Sequence, residues 1–410
     1  MPIVVTLVLV VVFAVLASAL LNRYAKARVG VSEVGYVVIG VLLGPFGLRL
    51  LDTDVMDTIR PFVSLTLGVV GFSLGLALRR RLLALPALGG GFVIALGVGG
   101  TVGAALYFGL LYLPIDPSPL EPILWPVVTI GSAAATISTA AIESGVRLHR
   151  ARGDATDMLR GFALTGSVFG VAISGTALAL SRSAQASNRF TLTQTEWLVA
   201  LILLGVSCGV LFALFMGKDR EEGDDRLFLA TVGIVIFASG MASAAGMSPL
   251  LLNAIVGVVV SLIAKDSGVL HVKLARLERP AVTTVLIFAG AMWSPVFGVW
   301  WLAPLVYVAV RLLTLRVAAN VAVDLFDDLP RVHRAGSALW AQGGISAAIA
   351  VSYAQVYPAQ SSIVLTTVLA ALVVQDLSSG AALGRFLVDA GEHDRLPAES
   401  EGPTLPVEVS

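Results

Sequence analysis

Two apolar stretches of the chain carry small polar residues at the depth where an ion could bind. They are residues 123–145 and residues 336–357, which approach the middle of the bilayer from opposite sides. Their central polar and glycine residues are Thr136, Ser138, Thr139, Gln342, Gly343 and Gly344. A helix broken at mid-depth is tolerated only where protein or a water-filled cavity covers the freed backbone groups. The two stretches therefore predict an ion site, although the same residues also permit close helix packing.

Charged residues inside apolar segments are the second group that could do chemistry. Arg311 lies in the middle of such a segment, where a basic side chain costs about 3 kcal/mol unless it faces the interior and is paired. We expect it to have a functional or site-building role. Asp376 and Glu143 are candidates for proton coupling. The alternatives are that Asp376 pairs with Arg316 in the core and that Glu143 lies at the membrane interface.

Composition indicates that the chain lies in membrane lipid. Of its 410 residues, 57% are hydrophobic and only 13% are charged, whereas a soluble protein carries about 25% charged residues. The net charge is zero, which gives no reason to expect nucleic acid as a partner. Phosphate-binding motifs are missing, and the four histidines fall in predicted cytoplasmic segments. We therefore predict no enzyme, no metal and no cofactor.

The apolar segments predict thirteen transmembrane helices. They lie near residues 3–22, 31–51, 61–78, 87–113, 123–145, 159–180, 196–217, 227–245, 248–264, 281–299, 302–324, 336–357 and 361–384. Alternate loops and the tail hold 21 Lys and Arg residues against 4 in the intervening loops. Since cytoplasmic loops retain basic residues, we expect an inner-membrane protein with its N-terminus outside and its C-terminus in the cytoplasm.

The spacing of the two polar stretches predicts an internal repeat. They occupy matching places in spans 1–6 and 8–13 if the seventh span is a linker, and the odd offset between them reverses their orientation. The expected fold is an all-α polytopic membrane protein with two inverted repeats and broken, crossing helices.

The segment GYVVIGVLLGPFGL resembles a signature of the monovalent cation:proton antiporter superfamily, the sodium/hydrogen exchangers. The matching residues are Gly35, Tyr36, Gly40, Gly44, Pro45, Gly47 and Leu48. The segments LGVVGFSLGLALRR, AAGMSPLLLNAIVGVVVS and WAQGGISAAIA are also similar to that family. The resemblance implies a homodimer that exchanges Na⁺ or K⁺ for protons.

The resemblance also implies a division of the chain. Residues 1–80 and 226–300 would form scaffold and dimerisation helices, and residues 86–182 and 301–385 a mobile transport core. Residues 194–217 would be the linker helix and 386–410 a cytoplasmic tail. Transport would then occur by an elevator-like movement of the core.

One departure from the family bears on the chemistry. The acidic residues usual in the sixth span fall on Gly166 and Ser167 here, and residues 158–195 contain no carboxylate. Gly344 stands where the family often has a Glu. A buried carboxylate lets a proton and a cation compete for one site, so the coupling residue is either relocated or lost. Two alternatives follow: an anion or organic-acid transporter of the same fold, or a non-transporting membrane scaffold or sensor.

Overall fold

The described part of the chain is built from α-helices. The computed structural model describes residues 33–51, 53–81, 85–112, 120, 122–182, 193–216, 224–263, 267–296, 298–332 and 334–392. The first predicted span, residues 3–22, and most of the predicted tail lie outside these ranges. Each of the other twelve predicted spans overlaps a helix or an interrupted helix.

The helices follow one another in a regular order. They are α1 (Val34–Leu43), α2 (Thr53–Arg81), α3 (Leu85–Tyr112), α4 (Leu124–Ala135), α5 (Thr139–His149), α6 (Asp154–Leu180), α7 (Gln194–Met216), α8 (Asp224–Ala245), α9 (Pro249–Ile263), α10 (Ser267–Met292), α11 (Leu302–Leu325), α12 (Ala335–Ala338), α13 (Gly344–Val356) and α14 (Ser361–Asp389). Eight segments of the described chain are long and apolar enough to cross a membrane, and α1, α9 and α13 are shorter apolar helices. The prediction of an all-α polytopic membrane protein is confirmed.

Glycines let two helix pairs approach until their backbones touch. A Cβ atom on Gly40 of α1 would lie 2.1 Å from the carbonyl oxygen of Ile287 on α10. A Cβ atom on Gly257 of α9 would lie 2.3 Å from the carbonyl oxygen of Phe72 on α2. Helix α1 corresponds to α9, and α2 to α10, in the two halves of the chain. The pairs α1·α10 and α9·α2 are therefore matching contacts in the predicted repeat, which stays a prediction.

A second group of helices surrounds the interrupted segments. Helix α3 packs against α4, α6 and α11, and α13 packs against α4 and α14. The corresponding helices α3 and α11 also meet through the hydroxyls of Thr101 and Thr314, whose oxygens are 3.0 Å apart. Helix α7 packs on α9 and α6 and so connects the two groups. Movement of one group against the other stays a prediction.

Candidate functional site

The first interruption separates α4 from α5 at residues 136–138. Thr136 and Ser138 have extended backbones, with ψ angles of 144° and 107°. The Ser138 hydroxyl accepts a hydrogen bond from the backbone N–H of Ala141 at 3.1 Å and caps α5. Hydroxyl residues favour such local bonds over a continuous helix, which explains why the predicted span breaks here.

The second interruption separates α12 from α13. Gly343 has a φ of +78°, a conformation that side chains with a Cβ rarely adopt, and it immediately precedes the first residue of α13. The backbone N–H of Ser138 donates to the carbonyl oxygen of Ala341 at 2.9 Å. The Thr136 hydroxyl donates to the carbonyl oxygen of Gln342 at 3.4 Å. The two interruptions therefore cross in contact with each other.

Arg311 of α11 joins the helix ends on one side of the crossing. It is fully buried. Its guanidinium donates to the carbonyl oxygens of Ala134, Thr136 and Trp340, each at 2.8 Å. These carbonyls lie where α4 and α12 end and have lost their helical partners. No carboxylate of the described residues pairs with Arg311, so the partial negative charge of the helix ends is what balances it.

Amide and hydroxyl side chains complete this side of the crossing. Arg311 also donates to Oε1 of Gln375 on α14. Gln342 donates from Nε2 to the carbonyl oxygen of Ala133 at 3.2 Å and to the Tyr307 hydroxyl. The Gln342 Oε1 and Gln375 Nε2 atoms are buried without a hydrogen-bond partner in the described chain. Buried polar atoms are rarely left unpaired, so these two can receive a water or a solute.

Helix α6 leaves no room for a side chain at Gly166, one of the two positions where the family resemblance places a carboxylate. A Cβ atom on Gly166 would lie 2.6 Å from the carbonyl oxygen of Ala135. The fully buried Ser167 donates its hydroxyl to the carbonyl oxygen of Ile137 at 3.1 Å. The small residues of α6 therefore pack directly on the first interruption, and Ser167 satisfies one of its backbone groups.

Glu33 is a residue of the crossing that the sequence reasoning missed. It immediately precedes α1, yet its side chain makes no capping bond to that helix. Its carboxylate faces the Ser138 hydroxyl and the backbone N–H of Gly344. The Oε2 atom lies 3.5 Å from the position of a Cβ on Gly344, and it is buried with no hydrogen-bond partner in the described chain. The available signal was an acidic residue just inside the predicted span 31–51.

The remaining predicted site residues are Asp376, Thr139 and Glu143. Asp376 of α14 lies close enough to Glu33 for the two carboxylates to interact electrostatically. Thr139 is half-buried as the first residue of α5. Glu143 accepts two hydrogen bonds from Arg160 of α6, at 2.7 and 3.1 Å, in a partly exposed ion pair. The structure thus brings Thr136, Ser138, Thr139, Ser167, Arg311, Gln342, Gly343 and Gly344 together at the crossing, and engages Glu143 elsewhere.

Comparison with solved structures relates this architecture to a transporter. The chain is similar to the sodium proton antiporter MjNhaP1 from Methanocaldococcus jannaschii, with a TM-score of 0.64 and 15% sequence identity. The alignment covers 95% of this chain and 99% of the antiporter chain. The two chains share one fold. No protein-family description and no curated protein matches the sequence.

Proposed function

We propose that the protein exchanges a monovalent cation, Na⁺ or K⁺, for protons across the cell membrane. The observation that carries this proposal is the buried crossing of two interrupted helices with Arg311 bonded to the ends of α4 and α12. Charged and unpaired polar groups are costly inside a membrane and mark ion pathways there. Paired interrupted helices in corresponding positions of two repeats are the usual setting of such a site.

The geometry favours a cation over an anion as the transported species. Arg311 is the fully buried cation of the crossing, and its guanidinium already donates to three carbonyl oxygens and to Gln375. An arginine has five N–H donors, so little remains for an anionic solute. The arginine therefore acts on the protein backbone, and Oε1 of Gln342 and Oε2 of Glu33, which have no hydrogen-bond partner in the described chain, are left to meet a cation.

Movement of the transport core supplies the alternating access. Residues 86–182 and 301–385 carry both interrupted helices, and residues 1–80 and 226–300 carry the glycine-packed pairs α1·α10 and α2·α9. The close backbone contact within those pairs suits a rigid scaffold against which the core would slide as a unit. The same scaffold would form the homodimer interface. The N-terminus would lie outside and the C-terminus in the cytoplasm.

Proteoliposomes that contain a pH-sensitive dye test this function. An outward gradient of Na⁺ or K⁺ should drive protons inwards, and reversing the cation gradient should reverse the proton movement. A proton flux driven only by an anion gradient would support an anion transporter of the same fold. No flux with any solute would support a non-transporting scaffold. Protein-free liposomes, and the surface variant Asp327→Asn, serve as controls.

A further inference from the structure

We infer that Glu33 is the carboxylate at which the cation and the proton compete, so that the coupling residue has moved from the sixth span to the start of α1. This inference rests on the proposed function and names the residue that performs it. In one state the Glu33 carboxyl holds a proton. In the other state the proton has left to solvent and the cation occupies the ionised carboxylate, so that one positive charge replaces another.

The position of Glu33 is the first support. Two helix N-termini meet at its carboxylate: α5, whose cap is Ser138, and α13, which begins at Gly344. The partial positive charge of helix N-termini stabilises an anion. Arg311 holds the opposite ends of the same interruptions. The crossing therefore has a basic side chain on one side and an acidic side chain on the other.

The hydrogen bonds of Glu33 are the second support. A carboxylate that only capped a helix would place its oxygens on that helix's N–H groups, but Glu33 makes no such bond to α1. Its Oε2 atom is buried and has no partner in the described chain. An ionised oxygen in that situation is costly unless a proton or a cation joins it. The unpaired oxygen is therefore the ligand atom.

The surroundings of Gly344 show why a residue from another helix is needed. A Cβ atom at Gly344 would lie 2.3 Å from Val282 Cγ1, so a glutamate at that position would have to displace the Val282 side chain. The Oε2 atom of Glu33 lies 3.5 Å from the same point. The Glu33 carboxylate thus lies near position 344, where the family often has a Glu and this chain has Gly344.

Two other acidic residues lie on helices that pack against α1 in the described chain. Asp376 of α14 interacts with it electrostatically. Glu278 lies one helical turn before Val282 on α10 and so shares the face of α10 that meets Gly344. Negative charge on these neighbours raises the attraction for a cation and for a proton alike.

The test compares wild-type protein with Glu33→Gln, Glu33→Asp and the surface control Asp327→Asn, whose aspartate pairs with Arg331 at an exposed site. Thermal unfolding of the purified chain is recorded in Na⁺ or K⁺ chloride and in choline chloride at equal ionic strength. Exchange is recorded in dye-loaded proteoliposomes. The cation should raise the unfolding temperature of the wild type and of the control, because a ligand that binds only the folded state stabilises it.

Glu33→Gln should fold, lose the cation-dependent rise in unfolding temperature and exchange no faster than protein-free liposomes. Glu33→Asp should keep the cation-dependent rise in unfolding temperature and should keep exchange, with a displaced pH profile. If Glu33→Gln keeps the rise and an unchanged pH profile while the wild type exchanges, the inference is wrong and the proposed function stands. If the wild type exchanges nothing, the proposed function is wrong, and the cation-dependent rise alone decides the role of Glu33.

A measurement on the wild type covers the case in which Glu33→Gln does not fold. Dicyclohexylcarbodiimide adds to protonated carboxyl groups in apolar surroundings, and peptide mass spectrometry locates the adduct. We expect an adduct on Glu33 that forms more slowly as Na⁺ or K⁺ is added. Absence of the adduct, or a rate that does not depend on the cation, would overturn the inference.

Discussion

Replacing Arg311 by alanine should destabilise the protein and abolish exchange. The change removes the donor from three buried carbonyl oxygens, those of Ala134, Thr136 and Trp340. A buried acceptor left without a donor costs about 1–3 kcal/mol, so the three together cost about 3–9 kcal/mol. Relief from burying the charge returns about 3 kcal/mol on insertion scales. The expected net loss is therefore about 3 kcal/mol, within a range of about 0–6 kcal/mol.

Three further variants separate the causes of that loss. Arg311→Met keeps most of the apolar stem and removes the donors, so it should resemble Arg311→Ala if the hydrogen bonds matter more than the packing. Arg311→Lys keeps the charge but offers three donors for four acceptors. Its stability should therefore lie between those of the wild type and Arg311→Ala. The control is Arg316→Ala, five residues further along α11. Arg316 lies over the Trp340 ring at 5.5 Å, a contact worth only about 0.5–1 kcal/mol.

The assay is thermal unfolding in detergent followed by exchange in dye-loaded liposomes, with reconstitution checked by the amount of protein per liposome. We expect the order of stability to be wild type, Arg316→Ala, Arg311→Lys, and then the alanine and methionine variants. Exchange should be lost in the last two even where folded protein is recovered. Wild-type stability and exchange in Arg311→Ala would refute the assignment of Arg311 as the residue that holds the crossing.

Three more predictions address the packing around the crossing. Gly343→Ala should lower the unfolding temperature and abolish exchange, because φ is +78° there. Gly380→Ala, whose added Cβ meets nothing within 4 Å, should cause neither change. Equal behaviour of the two variants would contradict this reasoning. Gly166→Asp should not improve exchange and should destabilise, because its Cβ lies 2.6 Å from a backbone oxygen; faster exchange would show that α6 can rearrange. Glu392→Gln should lower the stability by about 1 kcal/mol, because the Glu392 carboxylate caps α6 at Thr156. Exchange should be unchanged. An unaltered unfolding temperature would count against the cap.

The two helix interruptions could be predicted from the sequence because their causes are local. Thr136 and Ser138 form side-chain bonds within four residues, and Gly343 takes a backbone conformation that depends on its own lack of a side chain. Their recurrence in both halves of the chain predicts the crossing. Arg311 is equally visible, since a basic residue in the middle of an apolar span needs buried partners wherever they come from.

The coupling carboxylate could not be placed from sequence because its neighbours are distant along the chain. Glu33 meets Ser138, which precedes α5, and Gly344, which begins α13, and the spacing of residues within α1 contains no information about them. Sequence reasoning instead selected Asp376 and Glu143 as candidates for proton coupling. The structure places Asp376 near Glu33 and pairs Glu143 with Arg160, while the roles of both residues stay predictions.

Proton release on cation binding is the most direct test of competition at the crossing. Isothermal titration calorimetry of the purified wild-type chain with Na⁺ or K⁺, in buffers of different ionisation enthalpy, measures the number of protons released per cation bound. A ligand group that must lose a proton to bind gives about one released proton under acidic conditions, and an affinity that rises with pH. Binding without proton release and with a pH-independent affinity would contradict the account.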